Sequence, residues 1–269
     1  MADVVLVVLR RPELADALLS AGQRIAQLMG GARISVLAVR EPLQVSGLAA
    51  EALIAEAEST VRARQREEQR MTALRAAFDA WTQAAGADAR WAESEGSAPA
   101  VIGERGSRAD LIVVGQPSGD DRQARQAFSA ALFGTDRPVL LVPPDSSAAF
   151  GRRVAVAWRD EKRAVSAVIP ALRWLSAAQD VHVLIGVRHG AAGGELPRVL
   201  AEQGIAAELH VLPIGSEPFG KTLLDAAHGL SVDLLVMGAY AHSPLRELIL
   251  GGVTRYMLDH ADLPVLMRH

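Results

Sequence analysis

The chain has 269 residues, half of them apolar and 22% charged, with a net charge of −3. Two domains with real cores are expected at that length, and the slight acidity argues against nucleic-acid binding through a basic surface. There is no cysteine, which excludes disulfides, thiolate catalysis and cysteine-ligated metals.

Strand-like runs alternate with helix-length segments along the whole chain. The first half offers Val4–Leu9, Ile34–Val39, Ala89–Ser94, Leu111–Gly115 and Pro138–Pro143. The N-terminal run is only about six residues long, flanked by acid and arginines, so it reads as a first strand and not a leader. Leu14, Leu18, Ala21, Ile25 and Leu28 share one helical face, and the glycines from Gly30 supply a stop. A long helical segment spans about Gly47 to Ala85. Its ends are amphipathic, and its middle, RARQREEQR, is polar: a solvated stretch or, less simply, a partner-binding arm. The pair Glu93/Glu95 reads as a solvated strand rim.

The second half offers Val154–Trp158, Val181–Val187, Ala207–Pro213, Leu234–Gly238 and Pro264–Met267, with a helical stripe of Ala164, Val168, Ala171 and Leu175. ADLIVVG at Ala109–Gly115 is answered by VDLLVMG at Val232–Gly238, and RPVLLVP by LPVLMRH. The chain therefore reads as a tandem repeat, residues 1–147 and 148–269, joined through the Pro/Ser/Gly-rich stretch Pro143–Arg153. The first and fourth strands of each half are almost wholly apolar, as in parallel sheets buried on both faces. The fold class is α/β: two five-stranded, mostly parallel sheets flanked by helices. No apolar run approaches the ~18 residues of a membrane span, and a cytoplasmic location is expected.

In such sheets ligands sit beyond the carboxyl ends of the strands. Gly238 ends the fourth strand of the second half. Ser243-Pro244 reads as a helix start, LRELIL as a short helix, and Gly251-Gly252 as the start of another that carries Val253 and Thr254. Free N–H groups at a helix start favour an anion, and glycine lets a phosphate approach. Ordinary turns explain the same glycines by spacing alone.

The stretch Gly238-x2-Ala241-x9-Gly251-Gly252 after the fourth strand, with LRELILGGVTRYML and LPVLM around it, resembles the G-x2-G-x9-G-[ST] region of the universal stress protein family, and the resemblance covers essentially the whole chain. That resemblance implies strand order 3-2-1-4-5 in each half, and pairing of the two halves through PVLLVP and LPVLM. It implies a stress-response regulator that binds an adenine nucleotide, ATP foremost, in the second half. The nucleotide would touch Ala157, Trp158, Arg159, Asp160, Gly186, Val187, Met237, Gly238, Tyr240, Ala241, His242, Gly251, Gly252, Val253 and Thr254. Ala241 stands where the motif has glycine, and Gly252 where it has Ser or Thr. A degenerate pocket on a non-nucleotide scaffold is therefore the alternative, with slow ATP hydrolysis third because only Asp160 offers a carboxylate. Whether Mg2+ accompanies the nucleotide, and whether the chain forms a homodimer, are left open by the sequence.

The first half lacks an acid after its first strand (Arg10-Arg11). Gly119 breaks the spacing, and only Gly134-Thr135 resembles the last glycine pair, running into DRPVLLV with no room for a following helix. Its nucleotide loop reads as degenerate. Neither His182/His189 nor His242/His260 shows a compact metal-ligand spacing with a nearby acid, and no hydrolase elbow, P-loop or catalytic triad appears.

Overall fold

A computed structural model describes residues 3–42, 53–119, 121–159, 162–188, 193–239 and 252–269. The first half runs β1 (Val4–Leu9), α1 (Ala15–Leu28), β2 (Arg33–Arg40), α2 (Leu53–Ala85), β3 (Ala89–Glu95), α3 (Ala98–Gly106), β4 (Leu111–Gly115), α4 (Arg122–Gly134) and β5 (Val139–Val142). The second runs β6 (Arg153–Trp158), α5 (Lys162–Ala177), β7 (Asp180–Arg188), α6 (Arg198–Glu202), β8 (Glu208–Ile214), α7 (Phe219–Gly229), β9 (Leu234–Gly238), α8 (Gly252–His260) and β10 (Val265–Arg268). The short LRELIL helix falls outside the described residues.

The strands form one ten-stranded sheet, ordered β3-β2-β1-β4-β5-β10-β9-β6-β7-β8. Each half therefore has order 3-2-1-4-5, and the two five-stranded sheets merge instead of standing apart. Within each half every neighbour is parallel, whereas β5 and β10 pair antiparallel with Leu141 opposite Val265 and Leu140 opposite Leu266. That pairing covers two apolar edges that would otherwise be open to aggregation. It also reverses one half relative to the other, so the carboxyl ends of β1 and β4 face the opposite side of the sheet from those of β6 and β9.

Alternation along the strands divides the interior in two. Val5, Val7 and Leu9 face α1, α2, α5 and α6, where Phe78, Trp81 and Trp174 pack. Leu6 and Val8 face α3, α4, α7 and α8, where Phe128, Leu224 and Met257 pack. The α1 stripe enters the first layer as its periodicity predicts. The helix ends where Gly30 and Gly31 take positive φ of 82° and 94°, and their N–H groups donate to Gln27 and Ala26 carbonyls.

The repeated aspartate before β4 and β9 has one purpose. The Asp110 carboxylate accepts from Val4 N at 2.8 Å, and Asp233 accepts from Gly151, Arg152 and Arg153 N–H at 2.7–3.2 Å. Each ties the fourth strand of its half to the start of the first. The polar middle of α2 is partly tethered. Arg70 donates to the carbonyls of Arg10 (2.8 Å) and Val39 (2.6 Å), where β1 and β2 end, and to Glu67 at 2.6 Å.

Candidate functional site

The register places the second-half strand ends together. Ala157 lies opposite Met237 between β6 and β9, and Trp158 opposite Ile185 between β6 and β7. Gly238 ends β9 opposite Arg268. A crossover helix between parallel β9 and β10 runs antiparallel to both, so α8 starts on the side to which β9 points. Gly252 is its first residue, exposed, and a Cβ built there would have nothing within 4 Å among the described residues. Trp158, Arg159, Gly238 and the N–H of Gly252 thus belong to one rim of the sheet, where the macrodipole of α8 is positive.

Several expected residues sit otherwise. Met237 is 4% exposed, a core side chain that offers a ligand only backbone. Thr254, in the first turn of α8, is buried. Trp158 and Val187 pack partly on the α1/α2/α5/α6 layer, and Ala157 and Val253 on the other. Gly186 does permit a close approach, but by protein: an added Cβ would lie 2.4 Å from the Phe219 ring. Asp160, Tyr240, Ala241, His242 and Gly251 lie outside the described residues.

The equivalent rim of the first half is built differently. The Gly134-Thr135 pair does not begin a helix. Gly134 ends α4, and α4 is the helix that precedes β5 as α8 precedes β10. Aligning the glycine pairs by residue type alone hid that helix upstream of them. The N-terminus of α4 is capped by its own Asp121, whose carboxylate accepts from Ala124 N at 2.9 Å. A carboxylate thus already occupies the helix's anion position. Arg11 holds the intervening loop through Ser118 Oγ at 2.6 Å and Gln116 O at 3.1 Å. Leu14 and Leu18 crowd the strand-end Gly115, with Leu14 3.0 Å from where a Cβ would stand, and leave a cavity of only about 30 Å³ lined with Arg10, Arg11 and Asp121.

Gln116 carries a contact that sequence reasoning passed over. It is 8% exposed, and its Nε2 donates to the carbonyls of Ala261 (3.0 Å) and Met257 (3.4 Å) at the end of α8. The first half therefore caps the second-half helix whose other end faces the candidate rim. Arg125 adds an ion pair to Asp259 at 2.7 Å. A polar residue directly after an apolar strand was the available signal. Its partner, 145 residues away, was not visible without the β5–β10 pairing.

Among the described residues no helix is long and apolar enough to cross a membrane. The family model described as "Universal stress protein family" matches residues 138–269. Over 100% of this chain, the fold is similar to that of a universal stress protein from Archaeoglobus fulgidus DSM 4304, with 98% of that chain covered, a TM-score of 0.68 and 17% identity. A putative universal stress protein from Pseudomonas aeruginosa UCBPP-PA14 is similar at TM-score 0.56 and 14% identity, with 99% of this chain and 93% of that one covered. A functionally unknown protein from Pseudomonas aeruginosa PAO1 is similar to the same degree, with 99% of this chain and 92% of that one covered. No curated protein sequence matches the chain. Through residues 138–269 the chain belongs to the universal stress protein family, and its first half repeats the same fold.

Proposed function

We propose that this is a cytoplasmic stress-response protein that binds one adenine nucleotide, ATP foremost, in the domain of residues 148–269, while the domain of residues 1–147 serves as its structural partner. The base and ribose would lie over Ala157, Trp158, Arg159 and Asp160. The phosphates would lie between Gly238 and the start of α8, cradled by the segment from Tyr240 through Ala241 and His242 to Gly251. The observation that carries this reading is the contrast between two equivalent helix starts. In α4 the position is filled by Asp121, whereas α8 opens on Gly252, where an added Cβ would meet nothing within 4 Å among the described residues. Backbone N–H groups there are suited to a phosphate.

A scaffold without nucleotide is the second reading, favoured by the Phe219 ring seated against Gly186 and by Ala241 and Gly252 in place of the motif residues. Equilibrium binding of labelled ATP to the purified chain separates the two. Under the nucleotide reading the wild type saturates, and Gly251→Asp, which sets a negative charge in the cradle, abolishes binding. Absence of binding at millimolar ATP selects the scaffold. ATP turnover that Asp160→Ala removes would instead assign a hydrolase. The same preparation, weighed in solution with and without ATP, reports whether the chain pairs with a second copy.

A further inference from the structure

A second cluster of chemically active side chains lies on the same half, at the opposite end of its strands. His182 is the third residue of β7, and Glu208 and His210 open β8, the edge strand of the sheet. The register sets Glu208 directly opposite His182, and period-two alternation puts His210 on the same face as both. Spacing along the chain gives no hint of this group: His182 and His189 have no compact metal-ligand spacing, and it is the sheet that brings His182 to His210.

The three donor atoms are His182 Nδ1, His210 Nε2 and Glu208 Oε2. The two ring nitrogens are 3.1 Å apart, and each is 3.7 Å from the carboxylate oxygen. A point equidistant from the three lies about 2.0 Å from each of them, within the ~2.0–2.2 Å of zinc–nitrogen and zinc–oxygen bonds. The geometry points to a binding site for one divalent cation of the Zn2+/Co2+ class, held by His182, His210 and Glu208. Two imidazoles and a carboxylate are the donor set of borderline metals, not of Mg2+ or Ca2+, which take oxygen. The side chains of His182 and His210 are 12% and 21% exposed and that of Glu208 is 70% exposed. The imidazoles therefore form a mostly enclosed floor, and the carboxylate stands at the entrance. A three-ligand set leaves a position for water. Asp180 lies close by but is held by Arg153 at 3.1 Å. A bound ion would staple the edge strand β8 to β7, far from the nucleotide rim.

The test uses the full chain stripped with a chelator and titrated with Co2+ by visible absorption, then with Zn2+ in competition. One equivalent of Co2+ is expected, displaced by Zn2+ and not by Mg2+. His210→Ala and Glu208→Gln should each weaken binding more than about tenfold. Glu208→Gln alters a surface side chain and leaves the fold intact. His228→Ala, at an exposed histidine paired with Asp262, should bind as the wild type does. Zn2+ should raise the melting temperature of the wild type and not of His210→Ala. No saturable binding, affinity unchanged in Glu208→Gln, or an equal melting shift in His210→Ala would each overturn the assignment. None of these outcomes depends on ATP.

Discussion

Replacing Gln116 by Leu probes the joint between the halves. The substitution keeps an apolar stem of similar size and removes the donor that reaches from just past β4 to the end of α8. Ala261 is 4% exposed and its carbonyl accepts from Gln116 at 3.0 Å. Met257 O keeps a second donor, Ala261 N at 3.0 Å, so the loss concentrates on one carbonyl. A buried acceptor stripped of its partner costs about 1–3 kcal/mol. Urea unfolding of the wild type and Gln116→Leu, followed by both fluorescence and far-UV dichroism, should show a lowered midpoint with an unchanged slope. The two probes should move together, because the shared sheet and both core layers run through the joint. A stability change under about 0.5 kcal/mol, the range of ordinary surface substitutions, would refute the cap. Two separated transitions would refute the single continuous sheet.

Gly220 lies where α7 crosses α8, and a Cβ there would stand 2.5 Å from Tyr256 Cβ. Gly220→Ala should therefore destabilise by about 1–3 kcal/mol through overpacking, read as a fall in urea midpoint. Arg70, hydrogen-bonded to the Glu67 carboxylate, holds that carboxyl below its ordinary pKa, burial opposing. Its contribution is complete above the ordinary carboxylate range and disappears as pH falls through the depressed folded value. Glu67→Gln should thus lose stability at neutral pH and show a shallower acid dependence than the wild type, measured by thermal melts across pH. Gly252→Ser fits the free space at the start of α8 and restores the hydroxyl that the nucleotide motif carries. It should tighten ATP binding in a calorimetric titration.

The fold was legible because its signals are local. Apolar runs marked the strands, the α1 stripe marked a helix and its stop, and the doubled ADLIVVG/VDLLVMG marked the repeat. The repeated aspartate turned out to have the same role twice. The central pairing was implied by the family resemblance, and two apolar edges that needed cover gave it a physical motive. The site was less legible because its geometry depends on what fills space. Gly186 looked like room for a ligand, yet Phe219, 33 residues on, uses the room. Gly134 looked like a loop glycine, but the helix it ends lies before it, in a stretch of polar and alanine residues whose buried face is Ala127, Phe128, Ala131 and Leu132. Gln116 and the His182–His210 approach are products of register across strands and between halves, which no spacing along the chain encodes.

Amide hydrogen exchange of the full chain with and without ATP tests the central claim most directly. The account predicts slowed exchange at 157–159, at 237–239 and in the first turn of α8, with Leu9–Arg11 and Gly115–Asp121 of the first half unchanged. Protection at the first-half rim, or none at either, would contradict it.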